Sequence, residues 1–283
     1  MDTLLCNNHH CVRLWSVQLH RPEVYEAMEE VKGKEVLRIE GLHKRIGALV
    51  VLDGVSFDIC QGEFICALGP SGCGKTTILR IIAQLAHLDE GRIFIHGNEL
   101  ITEGYLDNLS VVFQEPRLLY WRTVEENVKL ALELKRGRVS DRDEAVVKKA
   151  LSMVGLSDFG DAFPHELSGG MKQRAALARA LVTEPSILLM DEPLTGLDLR
   201  TREDLQDEIL RIWKERDMTA IFVTHDPLEA IYMADRIIVL SDRPTKVKAV
   251  LTVSLNRPRN RDDKRINELE KYIRDLFGYK KLE

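Results

Sequence analysis

No run of apolar residues in this 283-residue chain approaches the roughly 18 needed to span a bilayer. The longest stretches, such as Ile187 to Met190 and Ile237 to Leu240, read as buried strands, so the chain is not expected to cross a membrane. Also lacking is a basic segment leading into a continuous apolar core near the start. Polar residues from Cys6 to His10 interrupt what apolar character there is, and export is not expected. There is no excess of positive charge: 40 basic against 45 acidic side chains leave a net charge of -5. No global field exists to hold a nucleic-acid backbone, no nucleic-acid partner is expected, and any phosphate binding must be local. Extended heptads and a disulfide framework are missing too. Five cysteines is an odd count, and Cys60, Cys66 and Cys73 fall in strand-like or glycine-rich segments, so they read as reduced thiols. Cys6, His9, His10 and Cys11 cluster four soft ligands but have no second half to complete a metal site, and they read as part of a tail.

What is present suffices for a sizeable core, since 45% of the residues are hydrophobic. Residues 1–34 show little periodicity and are expected to form a disordered extension. From Glu35 to Ile59 short apolar runs alternate around the turn-like Asp53-Gly54, which predicts antiparallel strands. Glu63 to Leu68 then reads as a buried strand, followed by a glycine-rich turn and a helix from about Gly74 to Leu85. Ile187 to Met190 and Ala220 to Val223 are similar strands separated by helical sequence, which argues for a mainly parallel core sheet. Between Gln114 and Ser168 apolar positions recur at helical spacing, predicting an inserted helical lobe at about 114–170. The main domain is placed at 35–255. A tail over 256–283 carries a helix with Ile266, Leu269, Ile273 and Leu276 on one face.

The strongest chemical signal is Gly69, Pro70, Ser71, Gly72, Cys73, Gly74, Lys75, Thr76 and Thr77, a strand-to-helix loop with the GxxxxGK[ST] spacing. Its glycines let successive backbone N–H groups converge on phosphate oxygens, and the helix start adds positive potential. Lys75 can reach the outer phosphates and the Thr76 hydroxyl can ligate magnesium. The fold class is therefore α/β: a P-loop NTPase core with a mainly parallel sheet, an N-terminal antiparallel β lobe and the helical insertion. At the end of an apolar strand, Asp191 and Glu192 present two carboxylates where a parallel sheet places its ligands. Asp191 suits magnesium through its water shell, and Glu192 suits accepting a proton from an attacking water. Ser168, Gly169 and Gly170 open a further helix, with Ser168 as its cap and a second place for an anion.

With these residues assembled the chain resembles the ATP-binding cassette family, whose signature LSGGxxQR is matched by Leu167 to Arg174. The resemblance begins near Glu35 and runs into the C-terminal region. It implies ATP and Mg2+ as ligands and ATP hydrolysis as the reaction. It also implies that Gln114 senses magnesium and the lytic water, that Asp198 belongs to the D-loop, and that His225 contacts the γ-phosphate. A head-to-tail dimer is implied, with a second copy or a homologous ATPase subunit, in which Ser168, Gly169 and Gly170 close over the ATP held by Lys75 of the other subunit. Further implied partners are membrane-spanning permease subunits and, indirectly, a periplasmic or lipid-anchored solute-binding protein. The place implied is peripheral, on the cytoplasmic face of the inner membrane. Val112 to Thr123, Ser241-Asp242-Arg243-Pro244 and Leu255 to Arg259 are similar to the nitrate, sulfonate and taurine importer branch. An exporter subunit, or a soluble family member acting in DNA repair or translation, is the alternative reading. A single cassette without heptads, zinc modules or a basic stripe weighs against the soluble one.

Two features depart from the family pattern or qualify it. Cys73 sits near a helix start, which predicts a thiol with a lowered pKa. Ile46 stands where the family places an aromatic residue that stacks on adenine. An aliphatic side chain covers the ring without its π-stacking, so base discrimination should be loose. Hydrolysis rates with ATP and GTP at matched concentrations are expected to be similar, and a strong preference for ATP would refute this role of Ile46.

Overall fold

The computed structural model describes residues 33–100, 108–137 and 141–278, together with the backbone of a short antiparallel pair, β1 (Cys6–Asn7) and β2 (His10–Cys11). The expected disorder of the extension and the fate of its Cys and His side chains otherwise lie outside the described residues. In chain order there follow β3 (Glu35–Ile46), β4 (Leu49–Cys60), β5 (Phe64–Leu68), α1 (Lys75–Ile82), β6 (Glu90–Ile95), β7 (Asn98–Glu99), β8 (Leu109–Val112) and α2 (Val124–Arg136). After them come α3 (Asp141–Met153), α4 (Gly169–Leu181), β9 (Ile187–Asp191), α5 (Leu199–Arg216), β10 (Thr219–Thr224), α6 (Pro227–Met233), β11 (Arg236–Leu240), β12 (Val247–Thr252) and α7 (Lys264–Phe277). The chain divides into two compact units, one of residues 1–75, 87–102 and 224–283, the other of residues 76–86 and 103–223.

The first unit carries the antiparallel sheet, in the order β4-β3-β6-β7. The hairpin turn between β3 and β4 lies at Gly47-Ala48, where Gly47 has φ 59°, and not at Asp53-Gly54 as the sequence pattern predicts. Asp53 and Gly54 instead sit in a bulge inside β4: Leu42 faces Val55 while Lys44 faces Leu52. Gly54, at φ 72°, supplies the positive φ that such a bulge accommodates, which explains the turn-like composition within a continuous strand. In the same unit β11 pairs in parallel with β5 and antiparallel with β12. Both β5 and β11 are buried along their whole length, as apolar runs of the parallel type should be.

The tail is fixed to this unit by two arginines. Arg259 is buried and donates to the carbonyls of Ile231, Tyr232 and Ala234 at the end of α6, and to those of Val253 and Leu255. Burial brings its guanidinium down to about 10. Arg257 pairs with Asp235 and donates to the Met233 carbonyl. The carbonyls at a helix end have no intrahelical partner, so a planar fork with several donors is well suited to collect them. Past this clamp, α7 begins on the Asp263 cap and buries Ile266, Leu269 and Ile273, the face its spacing predicts.

The second unit holds β8, β9 and β10, paired in parallel. Its helix α2 starts with a reciprocal capping box between Thr123 and Glu126. Buried Asn127 secures the preceding loop, accepting the Leu119 N–H at 2.7 Å and donating to the carbonyls of Leu119, Arg122 and Thr123. The parallel strands and buried β9 and β10 give the α/β core read from the sequence.

Replacing Arg259 with Ala would leave five carbonyls short of a donor in a buried place. The expected loss of stability is about 3 kcal/mol, read as a lower urea midpoint. An unchanged midpoint would show that the clamp does not support the fold.

Candidate nucleotide-binding and hydrolysis site

The loop that follows β5 is shaped by its glycines. Gly72 has φ 75° and Gly74 φ 125°, values that L side chains rarely adopt. A Cβ on Gly74 would lie 3.0 Å from both Leu52 Cδ2 and Val51 Cγ1, so the loop packs closely on β4. Lys75 opens α1 and is 3% exposed; its Nζ donates to the carbonyls of Gly69 and Pro70, each at 2.9 Å. The lysine thus folds back over the loop that precedes it. From behind, the hydroxyl of fully buried Thr245 donates to the Cys73 carbonyl.

Thr76, the next residue, belongs to the second unit and donates from Oγ1 to Asp191 Oδ1 at 2.8 Å. Asp191 ends β9 and is buried, so its carboxylate is delivered by a rigid strand. A hydroxyl and a carboxylate at this separation are two hard oxygen donors, and they fit a small dication that keeps water and phosphate oxygens as its other ligands. Glu192 is half-buried and has φ 44°. Such a backbone costs about 1 kcal/mol or more in a residue with a side chain. It is anchored by the Glu192 N–H to the Val223 carbonyl at 3.1 Å, and its Oε2 accepts from the Thr195 hydroxyl at 3.3 Å.

Gln114 is exposed just past β8, and the adjacent Phe113 carbonyl accepts from Gln173 Nε2 of α4 at 3.2 Å. Ser168 caps α4, its Oγ accepting the Met171 N–H at 3.3 Å. Gly169 is exposed, while a Cβ on Gly170 would strike Thr201 at the start of α5. Asp198 caps α5 by accepting the Thr201 N–H at 3.0 Å, and bonding to Thr201 holds its carboxyl below the usual range. Gly170 and the Asp198 cap therefore lie side by side in one unit. His225 is exposed in the first unit, immediately after buried Thr224, whose hydroxyl donates to Glu229 at 2.5 Å and accepts the Asp226 N–H at 3.1 Å.

The structure brings Thr76 and Asp191 into contact and folds Lys75 onto Gly69 and Pro70. Site residues 69–75 and His225 fall in the first unit, and Thr76, Thr77, Gln114, Ser168, Gly169, Gly170, Asp191, Glu192 and Asp198 in the second. Sequence reasoning missed Thr224, Glu229 and Thr245, whose hydrogen bonds hold the loops on which His225 and Cys73 lie; a threonine at a strand end carries no local signal of such a bond. The expectation for Cys73 needs correction. Its thiol is 2% exposed, and burial pushes its pKa up despite the opposing charge of Lys75. Desolvation outweighs the helix start.

The ABC transporter family model matches residues 52–195. An uncharacterized ABC transporter ATP-binding protein of Methanocaldococcus jannaschii is 42% identical over 89% of this chain and 96% of its own. The chain belongs to the ABC transporter family. The aliphatic sulfonates import ATP-binding protein SsuB of Bacillus cereus is 42% identical, over 83% of this chain and 92% of its own. The bicarbonate transport ATP-binding protein CmpD of Synechocystis is 39% identical, over 82% and 83%. Among solved structures, the dimeric bacterial ABC transporter cassette MJ0796 is 32% identical, with a TM-score of 0.70, and covers 78% of this chain and 100% of its own. The same cassette in a post-hydrolysis state bound to ADP and Pi gives a TM-score of 0.68 at 32% identity, with the same coverage. As a family member the chain binds ATP and is an ATPase, and its α/β architecture is that of the cassette fold.

Because the Cys73 thiol is buried and its ionisation is pushed up, iodoacetamide at pH 8 should label it at least about tenfold more slowly in the native chain than in the urea-unfolded chain. Equal rates, read by peptide mass spectrometry, would show that the loop exposes a reactive thiolate.

Proposed function

We propose that this chain is the ATP-hydrolysing subunit of an ABC importer for small anions of the nitrate, sulfonate or taurine type. The observation that carries the reading is similarity along most of the chain to ATP-binding proteins named for sulfonate import, with a bicarbonate transport relative close behind. The solutes in those names are small anionic species, although a cassette subunit does not itself encode the solute it serves.

In this reading the backbone N–H groups of Gly69–Thr77 hold the phosphates of ATP and Lys75 leaves its two carbonyls to meet the outer ones. Thr76, Asp191 and Gln114 would hold magnesium, which when bound offsets the phosphate charge. Glu192 accepts a proton from the attacking water, while Gln114 and His225 fix the direction of attack. The exposed helix start at Ser168, Gly169 and Gly170 closes over ATP on a second copy or a homologous subunit, with Asp198 at the same interface. The dimeric solved relative supports this arrangement. Each site is then complete only across the interface, so hydrolysis depends on dimer closure.

Permease subunits are the proposed membrane partners, with a solute-binding protein engaged through them. Among the described residues no helix is long and apolar enough to cross a membrane. A peripheral position on the cytoplasmic membrane face fits such a subunit. Tyr120 and Trp121 are 70% and 73% exposed in the single chain, which favours a partner contact over packing within the helical lobe. The domain reading of a cassette over 35–255, a helical lobe near 114–170 and a tail over 256–283 belongs to the same proposal.

The test is Glu192→Gln. ATP turnover should fall by about 100-fold or more while ATP-bound dimers accumulate in light scattering. Undiminished turnover would remove Glu192 from the role of base.

A further inference from the structure

The turn between β11 and β12 packs against the Gly69–Gly74 loop. Thr245, with no exposed surface, donates its hydroxyl to the Cys73 carbonyl, and its own N–H and C=O bond to Val51 and Asp53 at 2.9 and 3.0 Å. It therefore ties the loop to β4 as well. A Cβ on Gly74 would lie 3.3 Å from Thr245 Oγ1, and one on Gly69 would lie 3.1 Å from Leu240 Cβ at the end of β11. Two positions before Thr245, Arg243 is exposed, and its Nη2 would lie 2.9 Å from a Cβ on Gly72. The ion pairs of the described residues do not include Arg243, whereas Lys246 in the same hairpin is taken up by Asp53 at 2.9 Å. Both Arg243 and Asp242 act electrostatically on Cys73 inside the loop, the arginine lowering its pKa and the aspartate raising it.

We propose that the β11–β12 hairpin is part of the nucleotide site, with Arg243 a second cation for the phosphates of ATP and Thr245 the residue that positions the loop beside it. A guanidinium that lies 2.9 Å from where a Gly72 Cβ would stand is close to the proposed cradle, and its several donors suit a phosphate oxygen. Gly72 is then required twice, for its positive φ and for the space that the guanidinium takes. The inference rests on the reading of Gly69–Thr77 as the phosphate cradle.

Calorimetric ATP titration of the full chain, at about 50 and 500 mM salt, tests it. Arg243→Gln should weaken ATP about fivefold at low salt and clearly less at high salt. Thr245→Val, which exchanges the hydroxyl for a methyl group of similar size, should weaken ATP by a similar factor at both salts, and Thr245→Ser should restore binding to within about twofold. Wild-type affinity in Arg243→Gln, or a loss independent of salt, overturns the cation role. Failure of Thr245→Ser to bind better than Thr245→Val overturns the positioning role. Lys75→Ala separates the two levels: if it binds ATP normally the cradle reading itself fails, and if it loses ATP while Arg243→Gln does not, only the hairpin inference fails.

Discussion

A loop can point several backbone N–H groups at a polyanion only by adopting conformations that side chains resist, and only if something holds those conformations once adopted. In this chain the first need is met by Gly72 and Gly74, both at positive φ. The second is met from three directions: Lys75 bonds the carbonyls of Gly69 and Pro70, Val51 and Leu52 of β4 press on Gly74, and Thr245 bonds Cys73. β4 and the β11–β12 hairpin thereby form two of the walls of that loop. The tail does comparable work one step away, where Arg259 collects the carbonyls at the end of α6, the helix that starts two residues after His225.

The second unit applies the same economy to carboxylates. Asp191 closes a fully buried strand and takes its direction from the ladder with β10. Glu192 follows in a left-handed conformation that its own sequence does not favour, with its N–H bonded to the Val223 carbonyl and its carboxylate accepting from the Thr195 hydroxyl. Had β9 simply continued, alternation would carry the second carboxylate to the opposite face of the sheet from the first. The left-handed φ at Glu192 takes the backbone out of the extended conformation there, so the two adjacent carboxylates sit in different settings, Asp191 buried against Thr76 and Glu192 half-buried beside Thr195.

How much of this could be read from the chain follows from the range of each interaction. The glycine-rich turn after β5, the cap at Ser168, the apolar β9 and the buried face of α7 are local patterns, and each was legible. The hairpin turn was misread because Asp53-Gly54 and Gly47-Ala48 both carry turn chemistry, and only the register of β4 on β3 decides which is the turn and which the bulge. Cys73 was misread because a helix start is visible in sequence, whereas the burial that outweighs it is tertiary. The bonds from Thr245 to Cys73 and from Arg259 to Ile231 span 172 and 28 residues, and no window along the chain could contain the first.

The start of α4 shows how a cap residue can keep a donor in reserve. Ser168 Oγ accepts the Met171 N–H and so uses an acceptor lone pair, leaving its proton free of that bond. In the proposed dimer this hydroxyl can donate to a phosphate without giving up the cap. The N–H groups of Gly169 and Gly170, among the first of the helix, lack intrahelical acceptors and are available in the same direction. Glycine at 170 answers a different constraint, since a Cβ there would lie 2.4 Å from Thr201 Cγ2 at the start of α5. The two glycines therefore sit in different settings, Gly169 exposed and Gly170 packed against Thr201. Packing at 170 links the start of α4 to the Asp198 cap of α5 within one chain, so closure of the proposed dimer would move the two together as a single contact surface.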